Sequence, residues 1–135
     1  MLRQHVRVNE TVNAVGIPLE WSPLPADMCP AEQLSTGVAI IAETPVGRVG
    51  VWEHPVGVST DVEQHEVFVV LSGRGRVVLH DGREMELAPG FVGVLEAGTA
   101  TTWIVDEPLR KVWITAAAPA VHHVTISVQI GRAHV

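Results

Sequence analysis

Glu66-Val-Phe-Val-Val-Leu-Ser-Gly73, followed by Ala88-Pro-Gly-Phe-Val-Gly-Val-Leu-Glu-Ala-Gly98, decides the reading of this chain. From 66 to 71 nearly every residue is apolar, and side chains of a strand alternate between its faces, so both faces of this strand are predicted to be buried. One face lines an interior. The other requires a second sheet or a second chain.

Outward from these stretches the pattern repeats. Short runs rich in Val, Ile, Thr and Trp are split by Pro-Val-Gly, Ser-Gly-Arg-Gly, Asp-Gly, Pro-Gly and Ala-Gly, the punctuation of an all-β sandwich or barrel. Strands are predicted near 38–44, 47–54, 57–62, 66–72, 76–80, 84–87, 91–95, 101–105, 109–116 and 121–128. Asp81-Gly82 is a tight-turn signal and closes the hairpin of 76–80 with 84–87. No stretch carries long helical periodicity. Residues 16–36 hold Pro18, Pro23, Pro25 and Pro30; proline removes a ladder donor, so an irregular arm with at most one helical turn near 30–34 is expected. The arm is expected to pack across the barrel or a partner subunit.

At 135 residues and 47% apolar composition, one well-filled domain is expected. The expected division is an arm and first strand over 1–46, a barrel over 47–129, and a tail over 130–135. The tail, Ile130-Gly-Arg-Ala-His-Val135, coincides with the translation of a common sequencing adapter. It is expected to be non-native, and His134 is given no weight. A net charge of −6 without a Lys/Arg run argues against nucleic acid. Cys29 is the single cysteine, the start lacks a signal-peptide pattern, and the longest apolar runs, Val38 to Ala42 and Val67 to Leu71, are too short to span a bilayer. A cytoplasmic protein without a membrane partner is expected.

Together the two opening stretches resemble a cupin. Cupins commonly follow G-x5-H-x-H-x3-E-x6-G and then G-x5-P-x-G-x2-H, where three His and the Glu hold one metal. Here the Glu is Glu66, while the His positions fall on Thr60, Val62 and Thr101. The resemblance implies a cupin-type double-stranded β-helix, a jelly-roll barrel with a Pro-rich N-terminal arm, and a homodimer paired through its strands. A narrower resemblance covers roughly 47–115. Gly50-Val-Trp-Glu-His-Pro-Val-Gly57 and Trp103-Ile-Val-Asp-Glu-Pro-Leu-Arg-Lys111 are similar to a subgroup containing the cupin domain of (S)-ureidoglycine aminohydrolase and the ethanolamine-utilisation cupins. Phe91 and Glu96 depart from the subgroup pattern at Asp and Pro positions.

In the register that the resemblance implies, Thr60, Val62, Glu66, Phe68, Val70, Thr101, Trp103 and Val105 point into the barrel, giving a mostly apolar pocket with one acid. An ionised carboxylate is costly there, so Glu66 is expected to be neutralised by protonation or matched by a cation, a donor or a ligand group. One carboxylate is too few ligands for a transition metal, so no metal and no cofactor is expected. His65 should face away from the pocket, the facing of His80 is left open, and His54, His122 and His123 are read as surface or satisfied histidines. Candidate ligand-binding residues are Thr60, Val62, Glu66, Phe68, Thr101, Trp103 and His80, with Glu66 as the catalytic group if the protein is an enzyme. Three functions remain open. They are small-metabolite binding near Glu66, acid–base catalysis of the lyase, isomerase or amidohydrolase kind, and assembly through a barrel whose pocket is filled by Phe68, Val70 and Trp103.

Overall fold

The computed structural model describes residues 2–3, 6–7 and 9–116. Among the described residues nine strands form one antiparallel barrel-like sheet, apart from a short parallel pairing at its start. They are β1 (Leu2–Arg3), β2 (Glu20–Pro23), β3 (Ser35–Thr44), β4 (Gly47–His54), β5 (Gly57–Val62), β6 (Glu66–Leu79), β7 (Glu84–Leu87), β8 (Val92–Leu95) and β9 (Ala100–Ala116). The main path runs β1-β3-β4-β9-β6-β7, with β2 on β3, β5 on β9 and β8 on β6. The strand expected at 121–128, His122, His123 and the 130–135 tail lie outside the described residues.

Two corrections concern length. The runs expected at 66–72 and 76–80 are one strand, β6, and those at 101–105 and 109–116 are one strand, β9. Ser72-Gly-Arg-Gly75 does not turn the chain back. The β6–β9 ladder instead shifts register between Val70 and Gly75 and resumes at Gly75↔Val105, because bulges absorb extra residues while bending the strand. Gly73, at φ +91°, sits where a Cβ would strike the Pro108 carbonyl. Each strand thus serves two parts of the wall, β6 pairing its start with 111–115 and its end with 101–105.

The arm also differs from expectation. Glu20–Pro23 pairs with β3, leaving its proline at the strand's last position, and the helical turn is a 3-10 turn at Ala26–Met28 rather than at 30–34. The Arg110 guanidinium fastens the arm: Nη1 donates to the carbonyls of Val15 at 2.8 Å and Ile17 at 3.0 Å, while Nε pairs with Glu53 at 2.8 Å.

Two apolar clusters follow from strand alternation. Inside the barrel, Phe68, Val70, Val77, Leu87, Leu95, Trp103, Val105 and Leu109 pack together. On the outer face of the sheet, Ile17 from the arm covers Ala39, Ile41 and Val51.

Candidate functional site

Cross-strand pairing sets which side chains meet in the barrel mouth. Residues directly opposite in an antiparallel pair share a face. Trp103 and Thr101 are buried inward, and their partners on β5 are Ser59 and Asp61. Ser59 and Asp61 therefore face the interior, and Glu63, two residues further on and just past the strand end, follows them. Thr60 and Val62, expected inward, stand on the opposite face opposite Thr102 and Ala100. The register of β5 differs by one residue from the one that the resemblance implies.

The remaining expectations divide. Glu66 points inward with Phe68 and Val70, as predicted, and its side chain is 14% exposed. Leu79 opposes the inward Thr101, so His80, the next residue, turns outward and is exposed. Thr60, Val62 and His80 line an adjoining, wide-open groove of about 720 Å³ beside the 3-10 turn, and Val62 also lines a second, narrower cavity. His65 is exposed and accepts the Ala97 N–H at 3.2 Å. His54 is buried and satisfied: Nδ1 donates to the Pro55 carbonyl at 2.6 Å, so Nε2 accepts from the Ser59 hydroxyl at 2.8 Å. Burial holds its imidazole below its usual 6.5; the nearby Lys111 charge adds to this, against the hydrogen bond to Pro55.

A narrower cavity of about 380 Å³ contains the charged groups and is the candidate site. Lys111 lies on its wall, only 4% exposed, and its Nζ is 2.5 Å from Glu66 Oε2. The ammonium sits over three rings, 4.5 Å from the centroid of Trp103, 4.6 Å from Trp52 and 4.8 Å from Phe68. Negative ring faces and a carboxylate together make up for the water that a buried ammonium loses. Glu66 is thus matched by a cation, one of the outcomes expected of a carboxylate in this pocket.

A second carboxylate completes the arrangement. Glu63 is 6% exposed, and its Oε2 accepts the Thr101 hydroxyl at 2.6 Å and the Trp103 indole N–H at 2.9 Å. Trp103 therefore presents its edge to Glu63 and its face to Lys111. Asp61 also lines the cavity at its exposed rim, where Oδ1 accepts the Val62 N–H at 2.8 Å; partial desolvation and the negative charge of Glu63 push its carboxyl above the ordinary value, against that hydrogen bond and the Lys111 charge. The expected pocket with one acid is a pocket with three acids and one ammonium, walled by Trp52, Trp103 and Trp113. Trp113 reaches its place because Gly50 leaves room; a Cβ there would overlap the indole.

The metal that the resemblance implies does not suit these residues. Thr60 faces away, Val62 carries no donor atom, the Thr101 hydroxyl is committed to Glu63, and Glu66 is committed to an ammonium. Among the described residues no group of three or more His, Cys, Asp or Glu side chains is arranged to hold a metal ion.

Comparison with known proteins places this barrel. It is similar to the EutQ protein of Clostridium difficile, with TM-score 0.57 and 16% identity over 64% of this chain and 71% of that one. It is also similar to ethanolamine utilisation protein Q of Salmonella typhimurium LT2, with TM-score 0.56 and 11% identity over 77% of this chain and 99% of that one. A third likeness is to ectoine synthase from P. lautus, with TM-score 0.53 and 13% identity over 68% and 66% of the two chains. At these identities the shared property is the fold. No curated protein matches the chain. The family model described as the EutQ-like cupin domain matches residues 41–113, just over half of the 135 residues, and the chain belongs to that family, with an all-β jelly-roll barrel.

Proposed function

We propose that this protein binds a small metabolite in the barrel mouth around Glu66 and Lys111, without a transition metal. One observation supports this reading above the rest. The Glu66–Lys111 pair lies on the wall of a cavity of about 380 Å³ bounded by tryptophans, the combination of apolar wall and few convergent polar groups that suits a small ligand. Phe68, Val70 and Trp103 do fill the barrel interior, as a pure assembly module requires, but the space beyond them, toward Trp52 and Trp113, is open. The cupins named for ethanolamine utilisation support a small-metabolite role. The finer likeness to the ureidoglycine subgroup rests on stretches whose Trp52, Trp103 and Lys111 meet at this site. A thermal-shift screen with a metabolite panel, repeated on Glu66→Ala, tests the reading. A ligand that stabilises the wild type and not the variant supports it, whereas no ligand, or equal stabilisation of both, refutes it.

A second reading is acid–base catalysis. It is favoured by a carboxylate and an ammonium in hydrogen-bond contact inside an apolar enclosure, where one group can take a proton while the other steadies the charge that develops. Turnover with a pH dependence that Glu66→Gln abolishes would favour it over simple binding.

The protein also pairs with a second copy in this proposal. Cross-strand neighbours Val94, Val67 and Ile114, with Val92 beside them, form an exposed apolar strip on the outer face, Val94 being 71% exposed. Among the described residues nothing covers this strip, and such patches commonly mark interfaces. A cytosolic location agrees with Cys29, which is free.

A further inference from the structure

We propose that the cavity selects a small zwitterion, a molecule with a carboxylate at one end and an ammonium at the other. The inference rests on the metabolite-binding reading and adds the ligand's charge pattern.

Two parts of the cavity wall ask for opposite charges. In one, the Lys111 ammonium has three N–H donors. Glu66 takes one at 2.5 Å, and the faces of Trp52, Phe68 and Trp103 surround the group without offering an oxygen. A side chain more than nine-tenths buried on the cavity wall thus keeps donors for a ligand oxygen. In the other, Asp61 and Glu63 line the cavity; both side-chain hydrogen bonds of Glu63 use Oε2, and the exposed Asp61 has only its Oδ1 engaged, by the Val62 N–H at 2.8 Å. Partial desolvation, with the Glu63 charge, disfavours the ionised Asp61. A ligand cation there relieves the repulsion.

Neither a simple acid nor a simple amine serves both parts. An acid brings a fourth carboxylate to a site that holds three against one ammonium. An amine leaves the Lys111 donors unmet, and unmet buried donors are costly. Trp103 holds the two parts side by side, since its indole N–H binds Glu63 while its face carries Lys111. Trp52 and Trp113 provide apolar walls for the methylenes between.

The test compares three series on the full chain by NMR of the tryptophan indole N–H signals: ω-amino acids from glycine to 5-aminopentanoate, the matching alkanoates, and the matching alkylammonium ions. At least one amino acid should bind about tenfold or more tightly than both of its single-ended counterparts. Asp61→Asn should reduce that amino acid to the level of the alkanoate. Lys111→Met should reduce it to the level of the alkylammonium ion, and if that variant does not fold, Lys111→Met combined with Glu66→Gln carries the same expectation. Alkanoates or amines that equal the amino acids overturn the zwitterion and leave metabolite binding standing. Silence from all three series also overturns it, and the broader reading then falls only if the metabolite panel is silent as well.

Discussion

Lys111 Nζ lies 2.5 Å from Glu66 Oε2 and 4.5 Å from the centre of the Trp103 ring. The pair joins the middle of β9 to the start of β6, and with 5% and 14% side-chain exposure it is shielded from solvent screening. Removing one member strands the other's charge in an apolar wall, which is more costly than the pair itself is stabilising. The site therefore depends on both residues together.

Unfolding by urea should show that dependence. Lys111→Met and Glu66→Leu alone should each cost about 3–5 kcal/mol, whereas the double exchange should recover most of the loss. Single losses that simply add in the double variant would mean that the two side chains do not act as a pair.

Acidity should act through two groups of opposite sign. The folded value of His54 lies below 6.5, so the unfolded chain binds the proton more readily; stability should hold above pH 6.5 and decline as pH falls below it. Asp61 is raised above its ordinary 3.8, so its contribution is full below that pH and is lost as pH rises through the folded value. Asp61→Asn should therefore stabilise the protein at pH 7, by a small margin because the carboxylate is exposed to solvent screening. Ser59→Ala, which strands His54 Nε2, should cost about 1–3 kcal/mol. Denaturant melts across pH 4–8 on these variants and on His54→Gln provide the check; an unchanged acid limb in His54→Gln would contradict the assignment.

Glycine supports the aromatic wall from behind. A Cβ at Gly93 would overlap the Phe68 ring, and one at Gly50 would overlap the Trp113 indole. Overpacking of this kind costs about 1–3 kcal/mol, so both Gly93→Ala and Gly50→Ala should lower the melting temperature. Gly50→Ala should in addition perturb the Trp113 indole N–H resonance, because the ring must move. Wild-type melting of both variants would show that the rings have more room than described.

On the outer face, Val94→Glu places a charge in the exposed strip of Val67, Val92, Val94 and Ile114. If that strip joins two copies, the variant should elute as a monomer with unchanged secondary structure, while the wild type elutes as a dimer. Light scattering on both proteins decides it. A dimeric variant would remove the strip from the interface.

Much of the barrel can be read from the chain because its turns are local. Asp81-Gly82 and Pro89-Gly90 set φ > 0 at Gly82 and Gly90 within a few residues of each break. Ser72-Gly-Arg-Gly75 misleads, since the same residues build a bulge or a turn and only the distant partner strand decides between them. The site divides in the same way. Glu66 is found from its motif, but Asp61 and Glu63 are missed because a one-residue error in register exchanges every inward and outward side chain of β5. The correct face is signalled by Ser59, Asp61 and Glu63, polar residues of one parity, since Ser59 and Asp61 oppose Trp103 and Thr101, which the resemblance places inward. Lys111 shares odd parity with Thr101, Trp103 and Val105, yet that argument requires β9 to be one strand, and Asp106-Glu107-Pro108 reads as its end.

Native mass spectrometry of the purified protein tests the central claim most directly, because it weighs the folded chain with whatever its interior holds. An ammonium at the heart of the site predicts chain mass alone or with a small organic adduct, and loss of that adduct in Lys111→Met. One equivalent of Mn, Fe, Ni or Zn per chain, retained by the wild type, would contradict it.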